Sequence, residues 1–361
     1  MSKLDDLRQQ IDKIDDQLLK LISRRGQLAQ KIGEEKSIQA KDAHFHVPQR
    51  ERAILGRLKD QNKGPFPLSS INYIFREVFS ATLALEKPLK IAFLGPDTTF
   101  THQVAVKHFG HSCKFNPCPN IESVFSEVEL GNSDYGVVPV ENSIEGVVNL
   151  TLDCFVDSPL YICDEARMAI SLFLLANNVD VKKIKTVYSH PQPLAQSRNW
   201  LNKNLPGAEQ IPAASTGHAA ELAKKEKNSA AIAGQLAAEV HKLKIAAKNI
   251  QDCAENHTRF LVFSKDQAKR AKKNKTSIMF SIADEAGSLL KTLQLFAKNN
   301  ISLTKIQSRP LRNRPWEYLF YVDFLGHSED KAVARVLKTL GKQTLLFRVL
   351  GSYPEQGLKR A

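Results

Sequence analysis

The chain has 361 residues, 42% of them hydrophobic and 25% charged, the balance of a folded polypeptide with room for two or three domains. No apolar run reaches membrane-span length, the N-terminus is not a signal peptide, and five cysteines without a Cys-x-x-Cys pair weigh against a disulfide frame or a zinc site. They read as reduced thiols in a cytoplasm; the formal charge of +13 with only 7% aromatics and no nucleic-acid motif favours small anionic ligands over nucleic acid.

Residues 4 to about 37 predict one long helix. Leu4, Leu7, Ile11, Ile14, Leu18, Leu21, Leu28 and Ile32 recur at alternating steps of three and four, the seam of a helical bundle or coiled coil. A second helix starts at Pro48 and carries Ile54, Leu55 and Leu58. After Gly64, Pro65 and Pro67, a third runs from about Ser70 to Glu86 with Ile71, Phe75, Val78, Phe79, Thr82 and Leu83 on one face. At ~1.5 Å per residue the first helix is roughly 50 Å long, more than the other two can cover, and pairing with a second copy is the simplest remedy.

Beyond Pro88 short apolar strands alternate with helices: Lys90–Leu94, Tyr135–Val140, Ala169–Leu175, Thr186–Tyr188, Ala230–Ile232 and Phe260–Phe263, an α/β signature. No Gly-x-Gly-x-x-Gly follows the first strand, which disfavours a nicotinamide dehydrogenase. Lys265 to Lys275 reads as a basic, solvated linker. The last segment runs strand (Ser277–Ile282), helix (Ala286–Asn299), strand (Ile301–Gln307), strand (Tyr318–Phe324), helix (Asp330–Leu340), strand (Leu345–Leu350), the order of an α+β ferredoxin-like domain.

Three constellations carry chemistry. In the first, Arg25 occupies an apolar slot of the long-helix seam. A buried guanidinium needs an anion: either Glu51 or Glu86 pairs with it, or a ligand does. Arg8, Lys36 and Arg50 add cations that two carboxylates cannot neutralise. The run Leu7-Arg8, Leu18-Leu19, Arg24-Arg25, Lys36 and Arg50-Glu51 resembles the all-helical chorismate mutases over residues 1 to about 87. That resemblance implies that Arg25 and Arg50 contact substrate within one protomer while Arg8 enters from the other. It also implies that Lys36 donates to the ether oxygen, Glu51 to a hydroxyl, and that Thr82 and Glu86 complete the pocket. The rearrangement is pericyclic; its ether oxygen gains negative charge as the bond breaks, so preplaced donors lower the barrier. Two positions depart from relatives: Val47 stands where many have Asp, and Glu86 where Gln is frequent. A glutamate donates only when protonated.

The second constellation is five clusters at strand ends, where open α/β sheets bind ligands: Gly95-Pro96-Asp97-Thr98-Thr99, Glu141-Asn142-Ser143-Ile144-Glu145-Gly146, Ser189-His190-Pro191-Gln192, Ser215-Thr216, and Asn256-His257-Thr258-Arg259-Phe260. Alone, Ser215 or Thr216 reads as a helix cap. Together the clusters resemble prephenate dehydratase over residues 89 to about 266. The resemblance implies two lobes and a cleft, with Thr258 aiding departure of the hydroxyl and Arg259 holding a carboxylate. Glu141, Asn142, Ser189, Gln196, Ser215, Thr216 and Phe260 would line the pocket, without metal or cofactor, since loss of water and carbon dioxide in one aromatising step is strongly downhill. Thr98 replaces a glycine of the family pattern; a positive φ there would strain it.

The third constellation is Gly287-Ser288-Leu289 at a helix start and Gln307-Ser308-Arg309-Pro310 at a strand end, with Asn313, Pro315, Trp316 and Glu317 following. It resembles the amino-acid-sensing ACT domain over about 276–355. The resemblance implies that these residues bind phenylalanine, which favours a less active conformer.

The resulting expectation is an all-α mutase domain at 1–88, a two-lobed α/β dehydratase domain at 89–266 and an ACT domain at 276–355. Together they form a bifunctional enzyme of phenylalanine biosynthesis, turning chorismate into prephenate and prephenate into phenylpyruvate. It is expected as a cytoplasmic homodimer inhibited by L-phenylalanine, with neither nucleic-acid nor membrane partners. Two alternatives are a dehydratase whose mutase region survives as a dimerisation element, and a two-lobed amino-acid-binding regulator without catalysis.

Overall fold

The computed structural model describes residues 2–39, 46, 48–282, 285–310 and 318–356. Val47 and the motif from Asn313 to Glu317 lie outside the described residues. The chain forms two compact units, Met1–Lys90 with Val106–Lys114, and Ile91–Ala105 with Phe115–Ala361.

The first unit holds α1 (Lys3–Gln39), α2 (Pro48–Gln61) and α3 (Leu68–Glu86). Asp5 and Asp6 open α1 and Lys36 closes it, matching its macrodipole at both ends. Reciprocal bonds between Ser2 and Asp5 (3.0 and 3.2 Å) cap its start. The face of α1 toward α3 is Gly26, Ala29 and Gly33, all buried. A Cβ on Gly33 would lie 3.2 Å from that of Glu86, so the glycine permits close approach of the two helices. The Leu4-to-Ile32 seam is different: each of its eight apolar side chains is 46–64% exposed. Around Val106–Lys114, Arg76 donates to the carbonyl of His108, and Ser112 N donates to Ser80 Oγ at 3.1 Å.

From Lys90 onward the elements follow as β1 (Lys90–Leu94), α4 (Phe100–Phe109), β2 (Lys114–Cys118), α5 (Ile121–Glu129), β3 (Tyr135–Asn142), β4 (Gly146–Val147), α6 (Asn149–Asp157) and β5 (Tyr161–Ala169). Next come β6 (Phe173–Ala176), β7 (Thr186–Ser189), α7 (Pro191–Gln196), α8 (Arg198–Asn204), β8 (Glu209–Pro212), α9 (Thr216–Lys225), β9 (Ser229–Ala233), α10 (Gln235–His241), β10 (Lys244–Ala247) and β11 (His257–Ser264). The strands build two mixed sheets, β2-β1-β3-β11-β5 with β4 beside β3, and β10-β6-β9-β7-β8. The chain passes from the first sheet to the second between β5 and β6 and returns through β11, which inserts between β3 and β5. The expected strand Ala169–Leu175 is therefore two strand ends separated by Ile170–Leu172, where the backbone changes sheets.

The last region is β12 (Asn274–Ile282), α11 (Ser288–Lys298), β13 (Leu303–Pro310), β14 (Tyr318–Leu325), α12 (Lys331–Gln343) and β15 (Leu346–Pro354). Its antiparallel sheet has the order β13-β14-β12-β15. One face packs Phe280, Val322 and Phe324 against Phe296 and Leu337 of the helices. The other joins Met279, Tyr321, Leu350 and Tyr353 to the Val138, Leu261 and Phe263 core of the first sheet. A strand hydrophobic on both faces is buried on both, and β12 is, with eight successive buried residues. This corrects the reading of 265–275 as a solvated linker: Asn274 and Lys275 already belong to β12, and Lys275 is only 3% exposed.

Candidate active sites

In the helical unit α3 presents Val78, Phe79, Thr82 and Glu86 to α1. The Arg25 guanidinium donates to Thr82 Oγ1 and, at 3.4 Å, to the Val78 carbonyl, and it stands over the Phe79 ring at 5.3 Å. Burial lowers its pKa, Glu51 and Glu86 oppose that, and Arg50 reinforces it. Of the two alternatives for Arg25, the direct pairing with Glu51 or Glu86 does not form among the described residues. Glu86 Oε2 lies 3.6 Å from Lys36 Nζ, and Glu51 Oε1 lies 3.4 Å from His46 Nε2. Arg25 with Thr82 and Lys36 with Glu86 thus meet along the α1–α3 contact, with Arg50 exposed at the start of α2. Arg8 is apart, beside Asp5 at 3.8 Å; seventeen residues at ~1.5 Å put it about 25 Å along α1 from Arg25.

In the two-sheet region β11 carries Thr258 opposite Asn142 of β3. Asn142 Nδ2 donates to Thr258 Oγ1 and to Asn256 Oδ1, both at 2.8 Å. Asn256 donates to Gln196 at the end of α7 (3.1 Å), and Gln196 donates to Glu145 (3.3 Å). Two of the sequence clusters therefore meet, with Gln196 of α7, in one amide–hydroxyl network that spans both sheets. Asn256 and Glu145, given no role from sequence, are members of it; the amide-rich strand ends were the available signal. Ser215 caps α9 by accepting from His218 N, and the start of α9 packs on the first cluster. A Cβ at Gly217 would come within 2.4 Å of Asp97 O and 2.7 Å of Thr98 Oγ1, so only glycine fits. Thr98 has φ 67, the left-handed conformation anticipated for the glycine it replaces. Its hydroxyl donates to Asp97 O (2.6 Å) and its N–H to His102 Nδ1 (3.0 Å). Ser189 Oγ is buried and donates to the Ile232 carbonyl at 2.6 Å, a strand-to-strand tie between β7 and β9. Phe260 is 1% exposed and is a core side chain.

Glu141 and Arg259 turn the other way. Neighbours on a strand point to opposite faces, so Asn142 and Thr258 face the network while Glu141 and Arg259, paired in register, face the C-terminal sheet. Arg259 donates to Glu165 Oε2 (2.7 Å), Asp323 Oδ2 (2.6 Å) and Tyr353 Oη (3.0 Å). Lys275 donates to Glu165 Oε1 (2.6 Å), and Ser277 Oγ joins Asp323 (2.5 Å) and Tyr353 (2.6 Å). Two cations and two carboxylates thus close a buried neutral cluster. Burial opposes the charge on Arg259, but the Tyr353 oxygen, Asp323 and Glu165 outweigh it and raise its pKa; burial pushes the Tyr353 hydroxyl well up. Glu141 accepts from Lys305 at 2.8 Å. Two residues expected to line one pocket therefore sit behind it, for the geometric reason that the motifs lie inside strands.

Three families match the chain in sequence: chorismate mutase type II over residues 7–87, prephenate dehydratase over 91–268 and the ACT domain over 276–342. The bifunctional chorismate mutase/prephenate dehydratase of Aquifex aeolicus (strain VF5) is 46% identical over 98% of this chain and 99% of its own length. The chain belongs to the bifunctional chorismate mutase/prephenate dehydratase family. Its counterpart in Stutzerimonas stutzeri is 41% identical over 97% of each chain. A solved prephenate dehydratase from Arthrobacter aurescens in complex with L-Phe superposes with TM-score 0.68 at 32% identity, covering 74% of this chain and 90% of that one. The chain carries chorismate mutase and prephenate dehydratase activities, with an ACT domain behind the dehydratase sheet.

In the ACT domain Gly287 (φ 86) precedes α11 in the left-handed region, while Ser288 accepts from Thr292 at 3.1 Å and Leu289 packs on the sheet's helical core. The Gln307 amide donates to the Ser308 carbonyl at 3.2 Å, and Pro310 ends β13. Arg309, expected at the effector site, reaches into the dehydratase and donates to Asp153 at 2.7 Å. Among the described residues no group of three His, Cys, Asp or Glu is placed to hold a metal ion, and no helix is long and apolar enough to cross a membrane.

Proposed function

We propose that chorismate binds between α1 and α3, its carboxylates facing Arg25 and Arg50, with Lys36 donating to the ether oxygen, Glu51 to the hydroxyl, and Thr82 and Glu86 completing the wall. Arg8 serves the same site of a second protomer. In favour of this is the apolar seam of α1: its exposed length needs a partner, and Arg8 is about 25 Å from Arg25 of its own helix. An antiparallel second α1 brings one protomer's Arg8 toward the other's Arg25. Leu18→Glu, mid-seam, is expected to halve the mass by sedimentation and abolish the mutase; an active monomer would overturn the shared site.

For the dehydratase, the observation that carries the reading is the hydrogen bond from Asn142 to Thr258. Because Thr258 Oγ1 accepts there, its own proton is directed elsewhere, toward the departing hydroxyl of prephenate. As carbon dioxide leaves, the electron pair of its bond enters the ring and the carbon–oxygen bond to the hydroxyl breaks. Thr258 supplies a donor as that oxygen becomes anionic. Asn142 orients Thr258; Gln196 continues the wall through Asn256, and Ser189, Ser215 and Thr216 brace it from the second sheet. Positioned proton donors contribute roughly 10²–10⁴-fold. Thr258→Ala should therefore lower phenylpyruvate formation at least a hundredfold, with Thr258→Ser restoring part of it and the mutase unchanged. Turnover within tenfold of wild type would refute the role.

L-Phenylalanine, on this reading, binds the ACT domain near Gly287–Leu289 and Gln307–Pro310 and lowers dehydratase turnover, in a cytoplasmic homodimer. The functional regions are 1–88, 89–266 and 276–355. Titration of the purified chain with L-phenylalanine while following phenylpyruvate tests this directly.

A further inference from the structure

The Thr-Arg-Phe motif is the meeting point of two sites, and its arginine serves the second. Arg259 is buried behind the strand that carries Thr258, held by Glu165 of its own sheet and Asp323 of the ACT sheet. The adjacent strand repeats the pattern: Asn142 faces Thr258 while Glu141 is held by Lys305 of the ACT strand β13. We propose that Arg259 is a positioning residue of the dehydratase, and that Asp323 of the ACT domain is its anchor. Their ion pair fixes the Thr258 segment of β11, and hence the Thr258 hydroxyl, although neither side chain touches substrate.

The backbone of β11 has a register shift against β3 between Arg259 and Phe260, immediately after Arg259 and one residue beyond Thr258. An irregular ladder fixes side-chain direction less firmly than a regular one, so an external clamp at that residue matters. The clamp is rigid, since a planar guanidinium bridges two carboxylates and a tyrosine oxygen at 2.6–3.0 Å and has few alternative geometries. The anchor also belongs to a different domain: Asp323 sits on β14, whose neighbour β13 carries Lys305 and Arg309, the residues that tie to Glu141 and Asp153. A shift of the ACT sheet is therefore transmitted to both strands that hold the Asn142–Thr258 pair.

This inference rests on Thr258 being the working hydroxyl, and the tests separate the two ideas. Asp323→Asn keeps shape and removes the charge; Arg259→Lys keeps charge and removes the bridge. In both, dehydratase kcat is expected to fall more than threefold while the KM for prephenate stays within twofold and mutase turnover of the same chain is unchanged. A substrate-binding arginine gives the opposite split, a raised KM with kcat held. A merely structural ion pair lowers the melting temperature and leaves the turnover of folded enzyme within threefold. Either result overturns the proposal. If the charge variants do not fold, Tyr353→Phe removes one member of the clamp without burying an unpaired charge and is judged by the same kcat and KM limits. Thr258→Ala, measured beside them, isolates the underlying reading: if it keeps turnover, Thr258 is not the working group whatever Asp323 does.

Discussion

Replacing Arg25 with leucine should remove the mutase and leave the fold intact. The guanidinium is half-buried, bonded to Thr82 and the Val78 carbonyl and placed over Phe79. Thr82 Oγ1 itself donates to the Val78 carbonyl, so its removal orphans neither group. The cation–π contact is worth about 0.5–1 kcal/mol and the partly exposed hydrogen bonds about 1. A leucine at this slot extends the Leu21–Leu28 line and regains about 1 kcal/mol of apolar burial, more once a second protomer covers the seam. The net change is within about 1 kcal/mol, too small to unfold the unit. Losing a charge-assisted contact to a desolvated substrate carboxylate costs about 2–5 kcal/mol. At ~1.4 kcal/mol per tenfold that is roughly a 30- to 4,000-fold drop in kcat/KM. Chorismate consumption and urea unfolding measured on one preparation, with dehydratase activity as the internal control, give all three quantities. A mutase kcat/KM within tenfold of wild type would refute the substrate role. A loss of stability beyond about 3 kcal/mol would instead identify Arg25 as a structural anchor.

Three further outcomes are expected. Glu86→Gln keeps the shape of the side chain and replaces the carboxylate beside Lys36 Nζ with an amide that can donate, so mutase kcat/KM at fixed pH should change by at least about threefold; an unchanged value removes Glu86 from the chemistry. Thr98→Gly exchanges roughly 1–2 kcal/mol of left-handed strain against about 0.5–1 of glycine entropy and the lost bond to Asp97 O. Stability should therefore move by less than about 1 kcal/mol and dehydratase turnover by less than twofold; a tenfold loss would show that the Thr98 hydroxyl is used. Burial, aided by Arg76, pushes His108 down to about 3. Below the unfolded-state value near 6.5 the unfolded chain takes up a proton that the folded chain refuses, so stability falls with pH from about 6.5 towards 3. Allowing for the residue's remaining exposure, His108→Gln should recover about 1–2 kcal/mol of the loss between pH 7 and pH 4.5 in urea titrations; an unaltered pH slope counts against the enclosed neutral ring.

The architecture was largely legible because each region repeats one period. The three-and-four spacing of α1 and the strand–helix order after Lys275 follow from local hydrophobic pattern alone. The change of sheet at Ile170–Leu172 was not, since an apolar run looks the same whether it continues a strand or carries the backbone across to another sheet. The long-helix seam is exposed along its length, while the surface that packs on α3 is the small-residue line Gly26, Ala29 and Gly33, which hydrophobic periodicity does not register. The active-site motifs were legible as motifs and misread as units. Glu141-Asn142 and Thr258-Arg259 lie inside strands, where period two sends adjacent residues to opposite faces. That split could have been deduced from the strand assignment itself. The partner behind the strand could not: Asp323 lies 64 residues beyond Arg259, and no local rule pairs them. A dipeptide motif within a strand is therefore two separate constraints, one on the pocket and one on whatever packs behind it. In this chain the second constraint falls on the ACT domain.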